Sequence, residues 1–176
     1  MSKSLWHDIG PGPDIPNMVN VIVEIPKGSM NKYEYCKEHN IIKLDRVLFS
    51  PFHYPGDYGM IPQTLSEDDD PLDALVLVTN HTYPGVLIEA KPIGLLQMRD
   101  DGVMDDKIVC VSSNDPRYLN IKDSSDMDSH QRSEIAHFFQ VYKDLEGKKV
   151  EILGWKSSVE AKQIILASIQ RYNASR

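Results

Sequence analysis

Only two segments of the chain carry a helical repeat, and both lie after residue 128. In Ser129–Glu146, the side chains Ile135, Phe138, Phe139, Tyr142 and Leu145 fall on one stripe, and Gly147 follows as a C-cap residue. Ser157–Arg171 opens on Ser157-Ser158-Val159-Glu160, a capping-box pattern, and is expected to bury Ala161, Ile165 and Ile169. Everything that alternates before them does so with the two-residue period of a strand. Val19–Ile25 sets Val19, Val21, Val23 and Ile25 against Asn20, Ile22 and Glu24, a half-buried strand stopped by Pro26. Asn31–Tyr35 sets Lys32 and Glu34 opposite Tyr33 and Tyr35, and Ile41–Phe49 follows, carrying Arg46. Pro51–Pro62 is too rich in Pro and Gly for helix and reads as an aromatic loop. Ala74–Thr79 and Val86–Met98 are apolar strands, and Asp101-Gly102 turns the chain into Lys107–Val111. A short strand, Val150–Trp155, separates the helices. Strands and helices do not alternate, which argues against a parallel doubly wound sheet. The prediction is mainly β, of the α+β kind: a small antiparallel barrel flanked by helices.

The chemistry concentrates in Ser66–Asp73, where five of eight residues are acids and an apolar strand follows at once. Asp68, Asp70 and Asp73 are thereby delivered to the mouth of a buried strand, with Pro71 fixing the turn. Two carboxylates about 5 Å apart repel by roughly 3 kcal/mol at an effective dielectric of about 20, so convergence calls for a cation. A second cluster runs from Asp100 to Asp106, and its hairpin aims Asp100 and Asp105 at one point, with Lys107 on the same face as Asp105. These five aspartates offer oxygen ligands only, the chemistry of Mg²⁺ or Mn²⁺. Leu72 stands at a ligand position of the calcium-loop pattern and no glycine follows, so an EF-hand is excluded. The cations Lys32, Arg46, Lys107 and Lys143, with the phenols Tyr54, Tyr58 and Tyr142, supply what a phosphate group needs. No glycine-rich phosphate loop or nucleophile elbow is present. The residues alone therefore point to a metal-dependent enzyme acting on a phosphate compound.

Composition limits the alternatives. With 176 residues, a single domain over 1–176 is expected, preceded by an irregular arm at 1–16. A net charge of −7 argues against nucleic acid as a partner, because a general binder presents a basic face. No apolar stretch approaches a membrane span, and Met1–Pro16 has no signal-peptide core, so no membrane association and a cytoplasmic location are expected. Cys36 and Cys110 lack metal or redox spacing and are expected as buried free thiols. His137, mid-helix beside Phe138, suits packing or a subunit interface better than ligation. The rivals are an oligonucleotide-binding barrel that stacks bases on Tyr54 and Tyr58, and another metal-dependent phosphohydrolase.

Asp68-Asp69-Asp70-Pro71-Leu72-Asp73 resembles the Asp-x-Asp-Pro-x-Asp signature of the soluble family I inorganic pyrophosphatases. Val23-Glu24-Ile25-Pro26, Lys32-Tyr33-Glu34, Asp45-Arg46, Tyr54-Pro55-Gly56-Asp57-Tyr58-Gly59, the Asp100–Lys107 hairpin and Tyr142-Lys143 follow in the family's order. The resemblance implies a five-stranded OB-like barrel flanked by two helices, and Mg²⁺-dependent hydrolysis of pyrophosphate to two orthophosphates. Mn²⁺ or Zn²⁺ are the implied substitutes, and a homohexamer the implied assembly. By motif match, Asp68, Asp70, Asp73, Asp100 and Asp105 hold metal, while Lys32, Arg46, Tyr58, Lys107, Tyr142 and Lys143 bind substrate. Asp70, Tyr58 and Glu34 are the implied catalytic groups, and Glu24 and Tyr54 support them. Two positions depart from the pattern: Asp69 stands where many members have glycine, and Met60 where an aromatic is common.

Overall fold

The computed structural model describes residues 4–176. The chain runs through β1 (Val19–Ile25), β2 (Asn31–Cys36), β3 (Ile41–Val47), β4 (Asp57–Met60) and β5 (Asp73–Leu77). It continues through β6 (Leu87–Asp100), β7 (Val103–Met104) and β8 (Lys107–Ser112) to α1 (Ser129–Val141), β9 (Val150–Ser157) and α2 (Ser158–Ala174). Five strands close into a ring, β1-β4-β5-β8-β6, because β1 pairs with β4 along one edge and with β6 along the other. The β2–β3 hairpin stands apart from the ring, and β7 and β9 lengthen it by pairing with β6.

The ring is not wholly antiparallel, contrary to the sequence expectation. β5 and β8 run parallel, with Ala74 opposite Ile108 and Leu77 opposite Val111. The long β6 carries the chain back between them, so β8 re-enters in the direction of β5. Both strands read as unbroken apolar runs because both of their faces are covered. Leu75 and Leu77 pack with Phe138 and Phe139 of α1, while Ala74 and Val76 pack with Ala161 and Ile165 of α2.

The same double coverage corrects the reading of β1 as half-buried. Ile22 is 1% exposed, since Trp6, Met60 and Tyr172 close over the second face. The supposed loop Pro51–Pro62 contains β4. A Cβ on Gly59 would lie 1.9 Å from the Ile22 carbonyl oxygen, so the glycine that argued against regular structure is what admits the strand against β1.

α1 begins at an Asp128 cap, whose carboxylate accepts from the amides of His130 and Gln131. It ends at Val141 rather than Glu146, and a tight 3₁₀ turn, Asp144–Glu146, takes over. Leu145 accordingly leaves the apolar stripe and is 66% exposed, whereas Gly147 ends the turn at φ 71°. α2 has the expected reciprocal cap between Ser157 and Glu160 and runs three residues past Arg171, to Ala174.

Positions 1–3 of the predicted arm lie outside the described residues. Residues 4–16 have no helix and no ladder strand, yet they are docked: Trp6 Nε1 donates to the Thr64 carbonyl at 2.9 Å, and His7 Nδ1 pairs with the Tyr172 hydroxyl at 2.7 Å. Both cysteines are free, but only Cys110 is buried. Cys36 is partly exposed because its hairpin has no sheet stacked outside it. Among the described residues, no helix is long and apolar enough to cross a membrane.

Candidate active site

Strand ends of the ring and the β2–β3 hairpin surround a cleft of about 610 Å³. Glu24 enters from the end of β1, Lys32 and Glu34 from β2, and Tyr58 from β4. Asp73 opens β5, Asp100 closes β6 and Lys107 opens β8, with Asp105 two residues before it. Asp68 and Asp70 hang over the cleft from the loop before β5, and Tyr142 and Lys143 reach in just past α1. The hairpin between β6 and β7 works as its sequence suggested. Asp101 and Gly102 both have positive φ, 48° and 86°, as a two-residue turn requires.

The acidic loop is braced internally. Its base is closed by the Ile61 amide donating to the Leu72 carbonyl at 2.9 Å, and Thr64 Oγ1 accepts from the Leu72 amide while donating to the Ile61 carbonyl. Within the loop, the Ser66 amide donates to the Asp70 carbonyl and Asp68 Oδ1 accepts from the Asp70 amide. Asp69 sits at the tip with φ 65°, in the left-handed region.

Each carboxylate wall meets a lysine. Lys107, with a side chain 3% exposed, places Nζ 2.5 Å from both Asp73 and Asp105. Burial works to lower the Lys107 pKa, but the two carboxylates outweigh it and hold the ammonium well above its ordinary range. Lys143 donates to Asp100, and Lys37 to Asp70 at 2.6 Å. Burial pushes Asp73 and Asp68 upward, and their carboxylate neighbours add to the shift. Glu24 is raised to about 8, through burial and then the negative charge of Asp73, against the amide of Tyr35 that it accepts at 2.6 Å. Burial thus favours the protonated form of Glu24 near neutral pH. Burial and the facing aspartates keep the Tyr58 phenol protonated as well.

Two predicted site residues do not line the cleft. Tyr54 is 2% exposed and packs behind it, against Tyr58, Phe138 and Tyr142. Arg46 is already engaged: Nε and NH2 hold Glu146, and NH1 holds Asp45 at 2.5 Å. Asp45 in turn accepts from Lys32 at 3.2 Å, which draws Lys32, Asp45, Arg46 and Glu146 into one chain of charges. Glu146 and Lys37 were missed from sequence. Glu146 lies in the 3₁₀ turn beyond the end of α1, which the helical repeat did not foresee, and Lys37 lies in a turn with no pattern of its own.

Among the described residues, no three His, Cys, Asp or Glu side chains converge as one metal centre; the aspartates face lysines instead. The donor set nevertheless fits a hard divalent cation. It is all oxygen, burial and then the neighbouring carboxylates raise Asp68 and Asp73, and Asp100 Oδ1 is buried with no hydrogen-bond partner.

The family model described as inorganic pyrophosphatase matches residues 21–173. The chain belongs to the inorganic pyrophosphatase family. It is 47% identical over 171 residues to the inorganic pyrophosphatase of Picrophilus torridus, covering 97% of each chain. It is 48% identical over 171 residues to that of Sulfolobus acidocaldarius, covering 96% of this chain and 99% of the relative. The crystal structure of inorganic pyrophosphatase from Thermus thermophilus superposes with a TM-score of 0.91 at 44% identity, over 94% of this chain and 97% of that one. A vacuolar soluble pyrophosphatase of Trypanosoma cruzi, solved in complex with PPi, gives a TM-score of 0.86 at 30% identity, over 98% and 79%. The five-stranded ring with two helices is the pyrophosphatase fold, and the chain is an inorganic diphosphatase.

Proposed function

We propose that pyrophosphate is bound and hydrolysed in this cleft with Mg²⁺ held by Asp68, Asp70, Asp73, Asp100 and Asp105. The observation that carries the reading is the buried Lys107 flanked by Asp73 and Asp105, which sets cationic and anionic groups side by side at the mouth of the ring. When bound there, Mg²⁺ lowers the pKa of the attacking water and neutralises phosphoryl oxygens. Asp70 accepts the proton of that water, since its carboxylate is exposed to the cleft and held by an exchangeable lysine. Tyr58, kept protonated, donates to a phosphate oxygen, and Lys32 and Lys107 meet the charge of the group under attack. Lys143 and Tyr142 meet the charge on the departing phosphate, and Arg46, outside the cleft lining and held by Glu146 and Asp45, adds its charge only by exchanging one of those carboxylates for phosphate. Glu34, 3.7 Å from Lys32, orients that lysine. Glu24 supports the cleft wall at the end of β1, and Tyr54 supports it from behind. The PPi bound to the T. cruzi relative supports the choice of substrate.

The oligonucleotide-binding alternative keeps only one of its two stacking tyrosines, because Tyr54 is buried while Tyr58 lines the cleft. The reading extends to a cytoplasmic enzyme, with Mn²⁺ or Zn²⁺ as substitute ions. It also extends to a homohexamer, in which α1 and the exposed His137, edge-on to Phe52, lie at a subunit contact. Sedimentation showing a monomer at every pH would remove the assembly. The central test is phosphate release from pyrophosphate, with Mg²⁺ and with EDTA, beside ATP and a phosphodiester. Release confined to pyrophosphate and abolished by EDTA is expected; full activity in EDTA after dialysis would end the metal mechanism.

A further inference from the structure

The exchangeable lysine on Asp70 makes no contact with substrate in that mechanism. Lys37 follows β2, and its ammonium donates to the Asp69 carbonyl at 3.1 Å and to Asp70 Oδ1 at 2.6 Å. The same Nζ stands 4.7 Å from the centre of the Trp6 ring. Trp6 is itself immobilised: it is 8% exposed, its indole N–H donates to the Thr64 carbonyl, and its carbonyl accepts from the Gln63 amide. One ammonium therefore has three supports, a carboxylate, a backbone carbonyl and a fixed aromatic face. The carboxylate is the weaker hold against exchange, since Lys37 and Asp70 side chains are 47% and 61% exposed.

We propose that Lys37 is a tethered counter-cation of the acidic loop. It neutralises Asp70 while the site is free of metal, and it rests on the Trp6 ring when a divalent cation takes that carboxylate. The inference rests on the metal reading above. A cation on a side-chain stem competes with a dissolved one for the same oxygen, so Lys37 weakens Mg²⁺ binding while keeping the empty loop in place. Lys37 is a positioning residue in this account and never touches substrate.

Calorimetric titration of Mg²⁺ into the full-length, metal-free protein, without substrate and at low salt, tests this. Lys37→Met and Lys37→Gln are both expected to bind Mg²⁺ about two- to tenfold more tightly than the parent, the gap closing as KCl rises toward about 1 M. Gln keeps a hydrogen-bond donor and loses the charge, so equal behaviour of the two variants isolates the charge. In a Trp155→Phe protein, Mg²⁺ should also shift the emission of Trp6, and Lys37→Met should abolish that shift. Equal or weaker Mg²⁺ binding in the Lys37 variants would overturn the proposal and leave the metal requirement standing. No Mg²⁺ binding by parent or variant would overturn both.

Discussion

Arg46 reaches across one hundred residues of sequence to grip Glu146, with Nε 3.0 Å from one carboxylate oxygen and NH2 2.7 Å from the other. The Glu146 side chain is 8% and the Arg46 side chain 23% exposed, so the pair is a half-buried fork that fixes the guanidinium on the turn just beyond Lys143. Lysine has a single donor point and cannot reproduce it. Arg46→Lys is expected to lower kcat/KM about 10- to 100-fold, at about 1.4 kcal/mol per factor of ten. Glu146→Gln should act in the same direction, and the double variant should lose less than the two effects added, because both act on one group. Steady-state kinetics of the three proteins check this; a parent-like Arg46→Lys would take Arg46 out of the site.

Asp70→Asn keeps the shape of the side chain and removes its basicity. A drop in kcat of at least about 100-fold at neutral pH is expected. The exposed pair with Lys37 contributes little, so the melting free energy in EDTA should move by no more than about 0.5 kcal/mol. A near-normal kcat at saturating Mg²⁺ would transfer the base role elsewhere.

Lys107→Met leaves Asp73 and Asp105 facing each other without their cation. Breaking such a buried pair costs about 3–5 kcal/mol, to be read from urea melts in EDTA at pH 7. Mg²⁺ should restore more stability to the variant than to the parent. Because the folded pKa of Lys107 is raised, its contribution is complete below about pH 10, the ordinary lysine value, and is lost only as pH climbs through the folded one. A variant as stable as the parent would mean that the lysine offsets no repulsion.

Asp69 occupies a backbone conformation that few residues adopt. At φ 65° the position suits glycine, and aspartate is one of the few other residues that tolerates it. Asp69→Gly should stay within about 1 kcal/mol of the parent, whereas Asp69→Val should lose about 1–2 kcal/mol. Urea midpoints distinguish the two; an undisturbed Asp69→Val would show that the loop relaxes freely.

Asp123 ties the segment before α1 to the start of α2 by accepting from the amides of Ser125 and Ser158. Burial pushes its carboxyl up, but these donors outweigh it and bring the pKa down to about 2. A depressed folded pKa means stability present above the ordinary value near 3.9 and lost as pH falls toward 2. With solvent screening, Asp123→Ala should cost about 1 kcal/mol at pH 7 and progressively less toward pH 2. Paired melts at the two pH values test it; a gap that does not narrow assigns the loss to packing.

Period and order in the sequence carried most of the fold, because strands covered on two faces and helices covered on one leave different repeats. The acidic loop and its followers were legible for the same reason: carboxylates crowded before an apolar strand have few uses. What stayed hidden was set by distance along the chain. Nothing near Arg46 announces Glu146, nothing near Lys37 announces Trp6, and the parallel pairing of β5 with β8 depends on where β6 returns. Gly59 misled for a different reason, since a glycine that permits close strand contact looks locally like one that breaks a strand.

Closing the ring also governs how fast the protein is made usable. β1 is the first strand of the ring to leave the ribosome, yet both of its partners, β4 and β6, come later, and β6 must extend to Ala90 before Val19 is paired. Pairings this distant in sequence are slow to form, placing folding in the millisecond-to-second range rather than with fast helical bundles. Until then the edges of β1 are unsatisfied and open to strands of other chains. Variants that slow the arrival of β6, even harmlessly to the finished molecule, should show first as lower soluble yield.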